Sequence, residues 1–250
     1  MTTVSRVGRN VAGRYRLMRE LGRGGMGVVY LARDARRVEA GDAYPYVALK
    51  LLHDRWRGDS SARDVFRRQA LRMCRIATPA VVRLYDLDRD VDDPFATMEY
   101  VRGVDLRRAM KAGVSRDTAW AWIRRLGNAL TDMHEGGWVH ADLKPANVMV
   151  DARGSIRLLD AAVVDSGALT PAYASPSRRK GACASFEDDV YAFACMTYEL
   201  LAGRRPFDDG GPTRLAGVGR RAWKALRDTL ECTARKAPWG VRELTEALRP

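Results

Sequence analysis

The stretch 140-HADLKPANVMV-150 sets Asp142, Lys144 and Asn147 at offsets that suit phosphoryl transfer, yet it places Ala141 where a cation would be expected. Upstream, from Tyr15 to about Tyr100, the pattern is mostly short β-like runs: "YRLMRELG", "GVVYLARD", "YVALKLL", "VVRLYDLD" and "FATMEYV". One helix-like stretch interrupts them. In "SARDVFRRQALRMCRI", Ser60 and Ser61 are candidate N-caps, and Val65, Phe66, Ala70, Met73 and Cys74 recur at three- and four-residue steps, so a helix is expected to end before Pro79. After Gly103 helical spacing takes over. "TAWAWIRRLGNALTDMHEG" and "DDVYAFACMTYELLAG" read as long, largely buried helices, each closed by a Gly, while "RAWKALRDTLECTAR" and "VRELTEALR" read as shorter ones. The expected class is α+β, with a small sheet-rich lobe followed by a larger helical lobe, joined near "MEYVRG". Neither internal repeats nor a low-complexity linker are present.

At 250 residues and 46% hydrophobic, the chain can build a real core. Its 43 Lys and Arg against 31 Asp and Glu give a formal charge of +12, but the basic residues fall in ones and twos, as at Arg67-Arg68 and Arg124-Arg125. Without a basic block or interleaved aromatics, a solvated basic surface is favoured over a nucleic-acid site. Cys74, Cys183, Cys195 and Cys232 form no C-x-x-C pair and are read as free thiols in a reducing compartment. The N-terminus lacks an apolar signal-like run, and no stretch approaches the roughly 18 apolar residues needed to cross a bilayer, so a cytoplasmic protein is expected. The abrupt end at "ALRP" leaves room for a longer parent chain.

The segment "LGRGGMGVVYLA" carries Gly22, Gly24 and Gly27 in G-x-G-x-x-G spacing. A dinucleotide-binding fold would open a helix after the third Gly, whereas Val28, Val29, Tyr30 and Leu31 continue as a strand. The loop is therefore read as a hairpin tip. Either its backbone N–H groups approach phosphate oxygens or it is an ordinary turn. Lys50 ends the apolar run Val47, Ala48 and Leu49; it is a snorkelling surface cation or a charge held for a phosphate, and the upstream glycine hairpin favours the second.

Together these residues carry a resemblance. "GRGGMGVVYLA", "VALK", "MEYVRGVDL", "MHEGGWVHADLKPANVMV", "LLDAA", "TPAYASP" and "DDVYAFACMTYELLAGRRPF" are similar, in order and spacing and over nearly the whole chain, to the eukaryotic-type Ser/Thr protein kinases of the bacterial branch. The resemblance implies a bilobal fold with an N-terminal extension at 1–12 and a kinase domain at 13–250, divided into an N-lobe at 13–98, a hinge at 99–103 and a C-lobe at 104–250. It implies ATP and Mg²⁺ as cofactors. Leu21, Gly22, Gly24 and Gly27 would cover the nucleotide, and Lys50 would contact the α- and β-phosphates. Asp142 would accept the proton of the substrate hydroxyl, Lys144 would neutralise the γ-phosphate, and Asn147 and Asp160 would hold Mg²⁺. A loose phosphoryl transition state asks for positioned charge more than for covalent chemistry, so this set suffices. Val29, Ala48 and Met149 match positions that sandwich adenine, and Glu99 to Val101 match the hinge that reads its edge; core packing explains each of these equally well.

Five positions depart from the family pattern. Gln69 stands where a helix glutamate normally pairs with the strand lysine, Ala141 replaces the H-R-D arginine, and D-F-G has become Asp160-Ala161-Ala162. A-P-E reads Ser175-Pro176-Ser177, and only 16 residues separate Asp160 from Ser177. Loss of both the arginine and most of the loop that would carry its phosphate partner points to activity without activation-loop phosphorylation. The A-P-E glutamate's usual arginine is also absent, with Ala237 before Pro238, so the loss of both partners is expected to be nearly neutral. Ala161 would leave a cavity costing about 3–5 kcal/mol unless Met73, Val163 or Val164 fills it. The leading reading is an ATP- and Mg²⁺-dependent kinase acting on Ser or Thr hydroxyls of a protein, for which the arginine excess favours an acidic partner. The alternative is a pseudokinase, a nucleotide-binding or protein-binding scaffold. A small-molecule phosphotransferase is disfavoured by "TPAYASP", which resembles a peptide-docking segment.

Overall fold

The computed structural model describes residues 6–56, 58–91, 93–161, 170–232 and 239–248. It divides into two units, Met1–Arg75 with Val82–Tyr100 and Ile76–Val81 with Val101–Pro250. The first contains β1 (Asn10–Val11), β2 (Tyr15–Arg23), β3 (Gly27–Asp34), α1 (Ala35–Glu39), β4 (Tyr46–Leu52), α2 (Ser60–Cys74), β5 (Leu84–Asp90) and β6 (Asp93–Met98). The strands form one antiparallel sheet in the order β1-β2-β3-β4-β6-β5. Asn10 and Val11 lie in the stretch set apart above as an extension, and they pair with Arg16 and Tyr15.

Alternation sorts the two faces of this sheet. Val28, Tyr30 and Ala32 of β3, with Val47, Leu49 and Leu51 of β4, join Val11, Tyr15, Leu17 and Phe95 in one cluster. The opposite face receives α2, whose Phe66, Ala70 and Met73 pack with Leu52, Leu84 and Ala96. The stripe on α2 is narrower than the sequence periodicity suggests, because Val65 is only half-buried and Cys74 is exposed. Its N-cap is Asp59, which accepts from Ala62 N at 3.1 Å, rather than Ser60 or Ser61. Asp34, 1% exposed, accepts a two-pronged bond from Arg14 at 2.7 and 2.6 Å and caps α1 through Arg36 N. Burial works to raise the Asp34 pKa, but the Arg14 pair and the Arg36 N–H outweigh it and hold the group below its ordinary value.

The second unit contains β7 (Gly103–Asp105), α3 (Leu106–Lys111), α4 (Arg116–Glu135), β8 (Val148–Asp151), β9 (Ile156–Leu158), α5 (Pro176–Arg179), α6 (Phe186–Ala202), α7 (Arg220–Leu230) and α8 (Val241–Ala247). The small antiparallel sheet β7-β8-β9 adds three short strands, not anticipated from sequence, to this largely helical half. Helix α6 is buried without interruption from Asp188 to Tyr198, as its continuous apolar run requires, and Gly203 closes it at φ +73°. Where α4 meets α8, a Cβ on Gly127 would come within 2.1 Å of Thr245 Oγ1, so the mid-helix glycine serves close approach.

Candidate active site

Residues 136–147 connect α4 to β8, and the part from His140 onward hangs from α6. Asp189, 1% exposed, accepts from His140 N at 2.7 Å, Ala141 N at 2.9 Å and His134 Nε2 at 2.9 Å. One buried carboxylate thus fixes two successive peptide units and allows Ala141 its left-handed φ of +69°. His140 is fully buried, and desolvation lowers its pKa, keeping it neutral. Its Nδ1 accepts from Asp142 N at 3.4 Å, which leaves the proton on Nε2; that atom has no partner among the described residues.

The loop delivers the three residues first singled out to one place. Lys144 Nζ donates to Asp142 Oδ2 at 2.6 Å and to Thr170 Oγ1 at 2.9 Å, and the Thr170 hydroxyl donates to Asp142 Oδ1 at 3.3 Å. Asn147 Nδ2 donates to Asp142 O at 2.8 Å and to Asp142 Oδ2 at 3.1 Å. With its Nδ2 committed, the Asn147 Oδ1 remains the acceptor end of the amide. Leu159 N donates to Asn147 O at 2.8 Å, holding the residue before Asp160 against Asn147. Asp160 itself adopts φ +50°. Thr170 is read from sequence as the first residue of "TPAYASP" and as a candidate autophosphorylation site, not as a partner of Asp142 and Lys144. Asp189 and Tyr173, whose hydroxyl donates to Glu199 Oε2 at 2.6 Å, were not singled out from sequence.

In the first unit, Gly24 N bonds Gly27 O at 2.9 Å at the tip between β2 and β3, so the hairpin reading holds. Gly22, Gly24 and Gly25 have no left-handed φ, and a Cβ on any of them would touch nothing closer than 4.0 Å. Neither backbone conformation nor packing calls for glycine at those positions. Gly27 differs, since its Cβ would lie 2.2 Å from Leu51 O. Leu21 is half-buried and lies at a register irregularity between Glu20 and Gly22. Val29 pairs with Lys50, and Lys50 with Ala96, placing these on the sheet face that α2 covers; Ala48 pairs with Leu31 and Met98. Glu99, whose N donates to Arg83 O at 2.9 Å, belongs to the first unit, while Val101 and Met149 belong to the second.

A family model for the protein kinase domain matches residues 15–238. The chain belongs to the protein kinase family. Among bacterial relatives, it is 31% identical over 223 residues to the probable serine/threonine-protein kinase PknB of Lactococcus lactis, covering 84% of this chain and 35% of that protein. To the serine/threonine-protein kinase pkn2 of Myxococcus xanthus it is 36% identical over 214 residues, covering 78% and 25%. The chain thus spans about a third or less of the length of these relatives. The crystal structure of the Mycobacterium tuberculosis PknI kinase domain superposes with a TM-score of 0.74 at 26% identity, covering 96% of this chain and 97% of that one. The bilobal α+β expectation therefore holds, with a β-rich N-lobe and a helical C-lobe.

Against the kinase pattern, the departures now have surroundings. Ser177, in place of the A-P-E glutamate, donates to Asp188 Oδ1 at 3.2 Å, and Ser175 donates to the same oxygen. Asp188 is 6% exposed and also takes Ser185 N at 2.7 Å on its other oxygen, so the Ser175 and Ser177 hydroxyls of the S-P-S segment are both tied to the start of α6. Gln69 sits three residues after Phe66 and four before Met73, on the inward side of α2, while Asp64 is exposed and paired with Arg67 at 3.6 Å. Ala161 is fully buried in the core of the C-lobe. Ala162, Val163, Val164, Ala237 and Pro238 lie outside the described residues.

Proposed function

We propose that this domain transfers the γ-phosphate of Mg²⁺·ATP to Ser or Thr hydroxyls of a protein, without needing a phosphate on its own activation segment. The observation that carries this reading is the joint hold of Lys144, Thr170 and Asn147 on the Asp142 carboxylate, which keeps the base oriented before substrate arrives. Asp142 accepts the hydroxyl proton; Lys144 supplies positive charge to the transferred group; Lys50 is assigned to the α- and β-phosphates. The open glycines Gly22, Gly24 and Gly25 support phosphate approach. Asn147 Oδ1 and the Asp160 carboxylate are hard oxygen donors of the kind Mg²⁺ accepts alongside phosphate oxygens and water. When bound, the metal neutralises charge developing on the phosphates.

Independence from loop phosphorylation is supported by Ala141, which has no guanidinium to receive a phosphate, and by Asp189, which fixes residues 140 and 141 directly. The formal charge of +12 supports an acidic protein substrate. No helix among the described residues is long and apolar enough to cross a membrane. Gln69 favours the second reading, a nucleotide-binding scaffold, because it removes a charge that would order Lys50.

The test is incubation with labelled ATP and Mg²⁺, using the chain itself and a generic protein acceptor, beside Asp142→Asn. Label should appear with wild type, falling about 10²–10⁴-fold in the variant, and phosphatase-treated enzyme should start without a lag. Equal labelling by both proteins would refute catalysis by this site. A lag abolished by prior autophosphorylation would refute independence from the phosphate.

A further inference from the structure

The backbone of the glycine hairpin has polar groups to satisfy on two sides, and one short segment after β4 takes one side. His53 Nε2 lies 2.7 Å from Gly24 O, Arg55 donates to Gly25 O at 2.8 Å, with Trp56 Nε1 adding a longer bond at 3.4 Å, and His53 N donates to Met26 O at 3.1 Å. Because a carbonyl oxygen only accepts, His53 carries its proton on Nε2 in this contact. The Arg55 guanidinium lies over the Trp56 ring at 5.3 Å, which orients it. Met26 and Trp56 both pack against the cluster of Leu52, Phe66 and Met73, so the tip is held by an apolar anchor as well.

In a planar trans peptide the C=O of one residue and the N–H of the next point in opposite directions. Three successive carbonyls turned toward residues 53–56 therefore turn three successive N–H groups, those of Gly25, Met26 and Gly27, away from them. Successive N–H groups sharing one side form a concave anion site. The absence of side chains at Gly24 and Gly25 leaves that side open.

We propose that His53, Arg55 and Trp56 are positioning residues for the nucleotide, clamping the carbonyls of Gly24, Gly25 and Met26 so that the following N–H groups face the phosphates. The inference rests on the reading of this domain as an ATP-dependent kinase, and it adds that affinity for the phosphates, not for the nucleoside, depends on residues that touch neither.

The experiment compares binding of Mg²⁺·ATP and of adenosine to wild type, His53→Ala, Arg55→Ala, the double variant and the conservative His53→Gln, which keeps a donor at the Nε2 position. Each alanine variant should weaken ATP about fivefold, the double variant more, with adenosine unchanged and His53→Gln close to wild type. The KM for ATP in the transfer assay should rise in step while kcat changes little. Unchanged ATP affinity in the double variant, or equal losses for ATP and adenosine, would overturn the clamp while leaving the kinase reading intact. A wild type that binds ATP no better than adenosine would overturn both.

Discussion

Loop 140–147 hangs from a carboxylate that is 1% exposed, whereas the hairpin at 22–27 is held largely by side chains at the surface that grip its carbonyls. Asp189 works at low dielectric, where charge-assisted bonds to backbone N–H groups are strong and costly to lose. His53 and Arg55 compete with water for every bond they make, so each contributes little to stability. The difference teaches where this chain invests rigidity. The loop that carries the expected base is anchored in the core, while the loop expected to cover phosphates is biased toward one orientation.

The largest effect should come from Asp189→Ala, which strands His140 N, Ala141 N and His134 Nε2 without their acceptor. At roughly 1–3 kcal/mol for each buried group left unsatisfied, a loss of about 3–5 kcal/mol is expected, lowering Tm by about 10 °C or more in a domain of this size. Calorimetry showing a fall of only a degree or two would break the comparison at its stronger end. A smaller effect separates two glycines of the same hairpin. Gly27→Ala pushes a Cβ against Leu51 O and should cost about 1–3 kcal/mol, while Gly25→Ala meets open space and should leave Tm within about a degree of wild type. Equal melting of the two variants would show that the hairpin is not shaped by that contact.

Gln69→Glu sharpens the contrast in charge between the lobes, because it restores a carboxylate to α2 on the side that carries Phe66 and Met73. Steady-state kinetics should show a lower KM for ATP or a higher kcat, worth about 1–2 kcal/mol, since charged hydrogen bonds exceed neutral ones by about that amount. Reduced activity would mean that Gln69 is matched to a different neighbour.

What was legible in the sequence follows from how local its cause is. Strand β3 runs over the residues of "GVVYLARD" and β4 over those of "YVALKLL", because alternation is written in consecutive side chains. The long helices α4 and α6 were legible for the same reason. The three-residue strands β7 and β9 were too short to show a period. Asp142, Lys144 and Asn147 are local to one loop, and the structure brings them together. Asp188 and Asp189 sit inside "DDVYAF" as an unremarked acidic pair, and their roles depend on donors that lie from 3 to 55 residues away. Thr170 reaches Lys144 across 26 residues. No reading of spacing supplies such partners. The capping error on α2 is of another kind: Ser60, Ser61 and Asp59 are all competent caps, and only the backbone decides among them.

The burial of α6 also gives this protein a built-in reporter. Cys195 is wholly enclosed, and desolvation pushes its thiol up to about 12, so the reactive thiolate is scarce as well as inaccessible. Cys74 and Cys183 stand in solvent. A thiol reagent therefore separates these two exposed cysteines from Cys195, which reacts only when the C-lobe core opens, and the rate of that last modification measures how often the domain comes apart while it is nominally folded.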